Sequence, residues 1–350
     1  MAINFVAALS SAPKSAGEEA SATVKIATMI GVRMERSSAM EISVIVCTHN
    51  RSAILRQTLL SLSDMELPKD LCWEILVVDN NSTDDTRRVV ESLGACELPN
   101  LRYVFERQQG LSFARNRGIA EAKGEIVTFT DDDVVVAKDW LAEIRKAFQE
   151  FQPACVSGRI LLHPDLRLPA WWDRRWNGSL SELDLGDQVI LDEFGYGANM
   201  SFRRETLAKY GLFRTNLGRT NHAPAMGEET ELMFRLRLGE ERLVYYPKAI
   251  VYHRPSVARL SKKYLRRWFY QYGISLHQID LVRFRSGRWL GGVPLWRYRW
   301  AGDVLGSAAF IWITGGSRER FHQELRVICL MGYSASAFKQ RFRSPIRVES

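Results

Sequence analysis

Cysteines, long apolar runs and glycine-rich phosphate motifs are scarce or missing in this sequence, and each absence excludes a class of protein. The five cysteines are scattered along 350 residues without metal-ligand spacing or a disulfide pattern, so we expect reduced thiols in a cytosolic protein. The best apolar candidate, Val304 to Ile313, is shorter than the roughly 18 residues that span a bilayer. Neither Gly-x-Gly-x-x-Gly nor Gly-Lys-Ser/Thr occurs, which excludes the dinucleotide fingerprint and the P-loop.

Positive charge is concentrated toward the carboxyl end of the chain. Overall composition, 46% hydrophobic and 25% charged, is typical of a soluble globular protein with one or two domains. The net charge is +8, yet residues 259–350 contain 17 Lys and Arg against 5 Asp and Glu, a surplus of +12. The remainder therefore carries −4. A basic tail on a mildly acidic body indicates an anionic partner, either a nucleic acid or a membrane surface.

Strand-like and helix-like segments alternate after residue 40. Apolar runs at Ile42–Val46 and Glu74–Val78 are each followed by helical spacing of apolar residues, and the alternation continues to about Phe148. This pattern predicts an α/β fold with a mostly parallel central sheet and helices on both faces. Residues 1–40 show no clear periodicity, and we expect them to be disordered or poorly ordered.

Three consecutive carboxylates, Asp131-Asp132-Asp133, follow the apolar run that ends at Thr130. Like charges this close are tolerated only where water or a cation takes up the charge. In open α/β sheets, ligands bind outside the carboxyl ends of strands, where the triplet is expected to lie. Oxygen ligands there suit Mg²⁺ or Mn²⁺ shared with substrate phosphates, and a solvated acidic turn is the plain alternative.

Two further polar segments are expected at the same edge of the sheet. The segment Cys47-Thr-His-Asn-Arg51 follows the first predicted strand, and Asp79 ends the second. A carboxylate at Asp79 can accept a hydrogen bond from a base or a ribose hydroxyl. The alternative is an Asx turn that caps the next helix, although Ser82 or Thr83 could supply that cap instead.

Aromatic and basic residues are interleaved in the carboxyl-terminal part of the chain. Residues 259–278 predict an amphipathic helix with one apolar stripe, and Trp296, Tyr298 and Trp300 alternate with arginines further on. These aromatics either pack onto the body of the protein or bind an anionic membrane surface. Nucleic acid is not the expected partner, because a helical stripe is not a β-sheet stacking platform.

Five motifs follow the order and approximate spacing of family 2 glycosyltransferases, which the chain resembles over residues 41–255. They are Ser43-Val-Ile-Val-Cys-Thr-His-Asn-Arg51, Val77-Val-Asp-Asn-Asn-Ser-Thr-Asp84, Gly110-Leu-Ser-Phe-Ala-Arg-Asn-Arg-Gly118, Phe129-Thr-Asp-Asp-Asp133 and Gly227-Glu-Glu-Thr-Glu-Leu232. The resemblance implies a single Rossmann-like domain of the A-type glycosyltransferase fold. Its residues 41–135 would bind the nucleotide sugar and residues 136–255 the acceptor. Residues 256–350 would add basic amphipathic helices, with membrane association as one option.

The resemblance also implies roles for particular side chains. Donor binding is expected from Thr48, Asn50, Arg51, Asp79, Arg115, Asp131 and Asp132; binding of Mn²⁺ or Mg²⁺ from Asp133 and His253; catalysis from Glu229 and Glu228; and acceptor binding from Trp171, Trp172 and Asn199. Arg115 would pair either with a phosphate or with an active-site carboxylate. A general base must take the proton of the acceptor hydroxyl. The family usually has Glu-Asp at this point, with the Asp as base; here the pair is Glu-Glu, so the assignment within the pair stays open. For the two tryptophans, plain packing or membrane contact is the alternative.

The expected activity is metal-dependent and inverting transfer of a sugar from a nucleotide-diphosphate sugar, most simply a UDP-sugar, to an acceptor hydroxyl. The acceptor would be a saccharide or a lipid-linked sugar in cell-surface polysaccharide or glycolipid synthesis, with the enzyme peripheral at the inner face of the cell membrane. Two alternatives remain at this point: a nucleotidyltransferase-like enzyme, disfavoured by the lack of glycine after the first strand, and a non-catalytic membrane adaptor on the same fold.

Overall fold

The structure, a computed structural model that describes residues 40–215, 217, 227–283 and 289–341, is organised around a nine-stranded mixed sheet. The sheet strands are β1 (Ile42–Thr48), β2 (Trp73–Asp79), β3 (Leu101–Phe105), β4 (Ile126–Asp131), β5 (Val134–Val136), β6 (Cys155–Leu162), β7 (Ile190–Leu191), β8 (Asn199–Arg203) and β9 (Leu243–His253). The helices are α1 (Ser52–Ser63), α2 (Thr86–Cys96), α3 (Leu111–Glu121), α4 (Trp140–Phe151), α5 (Arg204–Tyr210), α6 (Glu228–Leu238), α7 (Lys262–Arg283), α8 (Leu295–Thr314) and α9 (Ser317–Arg341). Short 3₁₀ helices span Arg174–Leu180 and Val257–Leu260, and a small hairpin joins β10 (Trp289–Leu290) to β11 (Val293–Pro294).

The strand order is β3-β2-β1-β4-β8-β6-β9-β5, with β7 paired to β9. Strands β3, β2, β1 and β4 are parallel, as are β6 and β9, while β8 runs antiparallel between the two sets. The predicted α/β fold with a mostly parallel central sheet is therefore confirmed. In the register of the strands Thr48 lies beside Asp79 and Cys47 beside Asp131, so the carboxyl ends of β1, β2 and β4 meet at one edge.

Burial on both faces explains why the first strands are nearly continuous apolar runs. Ile42, Val44, Ile45 and Val46 of β1 have no solvent exposure, and alternate side chains enter separate hydrophobic clusters on opposite faces of the sheet. Parallel strands covered by helices on both sides have this composition. The sheet is thus a rigid base for the polar residues that follow its strands.

The carboxyl-terminal helices pack through close backbone contacts. A Cβ atom on Gly273 of α7 would lie 2.0 Å from the carbonyl oxygen of Cys329, and one on Gly332 of α9 would lie 2.0 Å from that of Tyr270. Small residues thus let α7 and α9 approach closely. The predicted amphipathic stripe is buried in this contact, with Leu265 and Phe269 both below a tenth exposed, which favours the packing interpretation for α7.

Three sequence predictions concern features that the described residues cover only in part or do not test. The prediction of a poorly ordered segment at 1–40 lies outside the described residues except for Met40. Among the described helices, none combines the length and apolar character needed to cross a bilayer. The division at residues 41–135, 136–255 and 256–350 stays a prediction.

Candidate active site

The acidic triplet lies at the carboxyl end of β4 in a largely buried turn. Asp132 and Asp133 are buried, whereas Asp131 is partly exposed. The hydroxyl of Thr48, at the end of β1, donates a 2.7 Å hydrogen bond to Oδ2 of Asp132. The hydroxyl of Thr58 on α1 bonds to the backbone carbonyls of Asp132 and Val134. The triplet is therefore a positioned structure rather than a solvated acidic turn.

Arg51 joins two of the three carboxylates. Its Nη1 lies 2.5 Å from Oδ1 of Asp132 and its Nη2 lies 2.8 Å from Oδ2 of Asp133. The preceding residue, Asn50, has φ of 52°, a left-handed conformation that asparagine tolerates and that turns the chain toward the acidic edge. Burial raises the pKa of Asp132, although Arg51 opposes this effect, and the neighbouring charge of Asp133 raises it further.

His253 approaches Asp133 from β9, which pairs antiparallel with β5 so that His253 lies opposite Val134. The ring atom Nδ1 lies 2.6 Å from the carbonyl oxygen of Leu180. A carbonyl only accepts, so Nδ1 carries the proton and Nε2 of the neutral ring is an acceptor. Yet Nε2 lies 3.1 Å from Oδ1 of Asp133, and neither buried atom has a hydrogen-bond partner among the described residues.

Two facing acceptor atoms require a cation or a proton between them, and this arrangement fits a metal site. Asp131, Asp133 and His253 offer ligand atoms that all lie within 4.8 Å of one another. A histidine that donates its other ring N–H to a backbone carbonyl is the usual form of a metal ligand. The carboxylates suit either Mn²⁺ or Mg²⁺, whereas the imidazole nitrogen favours Mn²⁺, because Mg²⁺ prefers oxygen ligands.

Positive groups converge on Asp133 as well. Arg259, from the 3₁₀ turn before α7, has Nη2 3.7 Å from Oδ2 of Asp133. Burial opposes the ionisation of Asp133, but the His253 ring in its protonated form, together with Arg259 and Arg51, outweighs burial and holds the pKa of Asp133 well below the usual range. The carboxylate is therefore charged across the physiological pH range. Arg259 was not among the predicted site residues, because its sequence position marks only the start of a basic helix.

Opposite the acidic edge lies a second buried ionic group. Arg115 of α3 donates a 2.7 Å hydrogen bond from Nη1 to Oε1 of Glu228, and both side chains are only 4% exposed. Of the two options predicted for Arg115, a phosphate or an active-site carboxylate, the structure places the carboxylate beside it. The pair spans 113 positions of sequence and ties α3 to the start of α6.

Glu229 lies next to this pair and faces the cavity. Its Oε2 has no hydrogen-bond partner among the described residues. Enclosure raises the pKa of Glu229 from its ordinary value of 4.5 to about 8, with the charge of Glu228 adding to the effect and Arg115 opposing it. Gly227, with φ of 104°, precedes the pair and provides the left-handed turn that begins α6. Glu228 is thus neutralised by an arginine, whereas Glu229 is free to exchange a proton.

Two glycines in Phe194-Gly-Tyr-Gly-Ala198 lie where the backbone passes close to buried polar side chains. A Cβ atom on Gly197 would lie 1.9 Å from Nη2 of Arg115, and one on Gly195 would lie 2.3 Å from the hydroxyl of Ser157. The backbone therefore passes directly over the buried arginine. Since Glu228 holds that guanidinium, Arg115 has little freedom to move aside.

These groups surround one cavity of about 390 Å³. Its lining includes the predicted residues Thr48, Arg51, Arg115, Asp131, Asp132, Asp133, Glu228 and Glu229. The carboxyl-terminal region adds wall residues that were not predicted as site residues, namely Arg259, Trp268, Phe269 and Tyr272. Arg175 and Trp176, from the 3₁₀ helix Arg174–Leu180, also line the cavity. The side chains expected at the sheet edge thus face a wall formed by a part of the chain that is remote in sequence.

Two of the predicted donor residues lie behind this cavity rather than in its lining. Asp79 accepts a 2.7 Å hydrogen bond from the Tyr103 hydroxyl and one of 2.9 Å from the Ser82 backbone N–H. It therefore stabilises the loop after β2, but it does not cap α2, which begins only at Thr86. The Asn50 side chain accepts from the backbone N–H of Thr83, joining the loops after β1 and β2. Donor binding by Asp79 and Asn50 stays a prediction.

The predicted acceptor residues are not among the cavity-lining residues. Trp172 is buried, donates from Nε1 to Asn177, and packs with Trp171 against Phe321 of α9. The structure thus places both tryptophans in the packing arrangement that was their alternative, because the apolar face of α9 covers them.

Asn199 has a bonding role inside the sheet. Its side chain accepts from the indole Nε1 of Trp140 and donates to the carbonyls of Arg159 and Ala249. It is almost fully buried, and its amide is engaged on both sides. Tertiary packing, rather than the cavity, thus engages the polar and aromatic groups of all three residues, and acceptor binding by them stays a prediction.

Comparison with known proteins agrees with this geometry. The family described as Glycosyl transferase family 2 matches residues 43–211. Succinoglycan biosynthesis protein ExoM of Rhizobium meliloti is 28% identical over 237 residues, which cover 66% of this chain and 74% of that protein. Glucosyl-dolichyl phosphate glucuronosyltransferase of Haloferax volcanii is 27% identical over 252 residues, 69% of this chain and 78% of that protein.

A solved structure has the same fold. The mannosyltransferase PcManGT from Pyrobaculum calidifontis, in complex with GDP-Man and Mn²⁺, superposes with a TM-score of 0.59 at 19% identity, covering 86% of this chain and 88% of that one. The fold and the acidic sheet edge together define an enzyme of the A-type glycosyltransferase fold. Residues 43–211 match the family 2 glycosyltransferases, and the chain is a glycosyltransferase. The nucleotidyltransferase and non-catalytic alternatives are accordingly set aside.

Proposed function

We propose that this enzyme transfers a sugar from a nucleotide-diphosphate sugar to an acceptor hydroxyl, with divalent-metal dependence and inversion at the anomeric carbon. The observation that carries the proposal is the pair of facing, unpartnered atoms Asp133 Oδ1 and His253 Nε2 beside a cavity whose lining includes Asp133 and Glu229. One cavity thus offers a cation site and a candidate base. Both are needed to displace a diphosphate by a neutral hydroxyl.

The donor half of the proposal rests on the charges at the end of β4. A divalent cation held by Asp133 and His253, with Asp131 beside them, would supply Lewis-acid stabilisation of the negative charge on the departing diphosphate. Arg51 and Arg259 reach Asp133 from two sides and would neutralise phosphate oxygens bound there. The nucleotide would lie toward the loops after β1 and β2.

The acceptor half of the proposal rests on Glu229. The acceptor oxygen would give its proton to the Glu229 carboxylate as it bonds to the anomeric carbon, and the bond from that carbon to the diphosphate oxygen would break. Glu228 is paired with Arg115 and is therefore the poorer base. We accordingly assign the base to Glu229 and a positioning role to Glu228.

The wall formed by α7 is the best candidate for the acceptor side. The rings of Trp268 and Tyr272 stack with centroids 5.0 Å apart and an interplanar angle of 17°, and both line the cavity. Flat aromatic faces suit the apolar face of a sugar ring. The similar proteins are named for succinoglycan biosynthesis and for a dolichyl phosphate glycolipid, which supports a saccharide or lipid-linked acceptor and peripheral attachment to a membrane.

A thermal-shift screen of UDP-sugars and GDP-sugars, each with and without Mn²⁺, tests the proposal. A donor at a hundred times its dissociation constant should stabilise the fold by about 2.7 kcal/mol. The shift should require Mn²⁺ and should be lost in Asp133→Asn but kept in the matched surface variant Asp85→Asn. Failure of every nucleotide sugar to stabilise the enzyme, or a full shift in Asp133→Asn, contradicts the donor assignment.

A further inference from the structure

Helix α8 exposes most of its apolar side chains. Among its described residues only Val304 is buried. Leu305, Phe310, Trp312 and Ile313 are exposed by 58%, 68%, 58% and 79% of their surface. The stretch from Val304 to Thr314 contains no charged residue. We call Leu305, Phe310, Trp312 and Ile313 the α8 face; an exposed apolar patch of this kind marks an interaction surface.

Unpaired positive charges outnumber unpaired negative charges in the described helices around the α8 face. In the helical region, which comprises the described residues from 256 to 341, every acidic side chain pairs with an arginine. These acidic residues are Asp280, Asp303, Glu319 and Glu324. By contrast, ion pairs within the described residues leave out seven exposed cations of α7, α8 and α9. Lys262 contacts aromatic rings and Arg318 donates to a backbone carbonyl. The other five are Lys263, Arg267, Arg299, Arg320 and Lys339. The surplus positive charge of the region is therefore available to an external anionic partner.

We propose that the α8 face docks on an anionic lipid bilayer, with its apolar side chains entering the headgroup boundary and the unpaired cations contacting lipid phosphates. Arg299 lies within α8, and Arg320 lies in the first turn of α9 just after the apolar end of α8, so both kinds of contact come from one helical hairpin. Apolar burial combined with basic residues is the usual basis of peripheral membrane binding. A second copy of the chain is the poorer occupant, because two surfaces with the same charge surplus repel each other.

Vesicle co-sedimentation of the full chain tests this surface without reference to catalysis. Vesicles of equal parts phosphatidylglycerol and phosphatidylcholine should bind the protein, and high salt or pure phosphatidylcholine should weaken binding. The double variant Phe310→Ser with Ile313→Ser should lower the partition coefficient at least about tenfold. Its matched control is Leu191→Ser with Leu238→Ser on the catalytic body, by which we mean residues 41–255. These leucines are 56% and 67% exposed, and their replacement should leave binding unchanged.

A charge variant separates the two parts of the contact. Arg299→Gln with Arg320→Gln should reduce binding to the anionic vesicles several-fold and leave the weaker binding to phosphatidylcholine unchanged. The proposal is overturned if the full chain does not sediment with anionic vesicles, or if the Phe310/Ile313 variant binds as well as the parent. It is equally overturned if sedimentation velocity shows a dimer that this variant dissociates, which would assign the α8 face to a second copy.

Discussion

The catalytic body and the carboxyl-terminal helices depart from the ordinary distribution of side chains in opposite ways. The body buries charge: Asp132, Asp133, Arg115 and Glu228 are each no more than 4% exposed. The helical region exposes apolar groups on α8, with Ile313 as the extreme. Burying ionised groups opposes folding unless they are paired, and exposing large apolar groups forgoes the hydrophobic stabilisation of burial. Both departures are therefore expected where a protein meets a ligand.

The contrast is repeated inside the helical region between α7 and α8. Both helices contain aromatic residues close to basic ones, so the sequence alone suggests the same role for both, either packing or membrane contact. In the structure α7 packs against α9 and lines the cavity. Helix α8 contacts α9 along one side, and its other side is exposed to solvent. Similar composition thus serves packing in one helix and an open surface in the next.

The largest expected effect lies at the buried charges of the body. Asp133→Asn should lower the rate of sugar transfer about a thousandfold, because the cation site would lose its charged ligand. The same variant should lose Mn²⁺-dependent stabilisation by the donor. Steady-state kinetics and thermal shifts measure the two effects. Wild-type activity in this variant would mean that the acidic edge has no catalytic role.

Replacing the proposed base should reduce turnover while leaving donor binding intact. Glu229→Gln should lower kcat by about a hundredfold or more, because the amide cannot accept the acceptor proton at neutral pH. Donor-induced thermal shifts should remain as in the parent. If Glu228→Gln has the larger effect on kcat and Glu229→Gln the smaller, the two roles must be exchanged.

The pH dependence of the parent enzyme sharpens this assignment. The base must be deprotonated, and the pKa of Glu229 is raised to about 8. Consequently kcat/KM should fall about tenfold for each unit of pH below 8 and level off above it. A profile that is flat between pH 6 and 9 contradicts a base with this pKa.

The two helices should respond differently to removal of a phenyl ring. Phe269→Ala in α7 should cost about 3 kcal/mol of unfolding free energy, because it leaves a cavity in the α7–α9 contact. Phe310→Ala on the α8 face should change it by less than about 0.5 kcal/mol. Urea unfolding monitored by circular dichroism measures both. Equal losses would mean that the α8 face is packed in the folded protein.

The smallest effect on activity is expected at the close backbone approach to Arg115. Gly197→Ala should lower activity by about tenfold, because the added methyl group would displace the guanidinium and release Glu228. Gly178→Ala is the matched control, since a Cβ there would meet no atom closer than 3.8 Å. Activity assays at constant donor concentration compare the two variants; equal activities would show that Arg115 can move aside.

Much of the candidate site was predictable from local sequence. Buried strands followed by Thr48 and by the Asp131–Asp133 triplet place polar groups at one sheet edge by topology alone. The five motifs then implied the family. The pairing of Arg115 with a carboxylate was one of two predicted options, because the charge of an arginine does not by itself choose between a phosphate and a glutamate.

The wall of the cavity could not be predicted in the same way. Arg259, Trp268 and Tyr272 reach the site from α7 and the turn before it, more than 120 residues beyond the acidic triplet. Conversely, Trp172 and Asn199 seemed suited to an acceptor but are engaged in packing and in backbone hydrogen bonds. The type of a residue shows that its side chain can stack or donate a hydrogen bond, but it does not show which partner lies beside it in the folded protein.

The sequence by itself determined the strand pattern, the acidic edge, the resemblance to the family and the positive surplus of the tail. These depend on neighbouring residues, whose periodicity and charge are set along the chain. Tertiary structure alone decided that His253 faces Asp133, that Arg115 neutralises Glu228 rather than Glu229, and that α7 is covered while α8 is open. Each of these depends on contacts between remote segments, in which packing and desolvation select one partner among several with suitable chemistry.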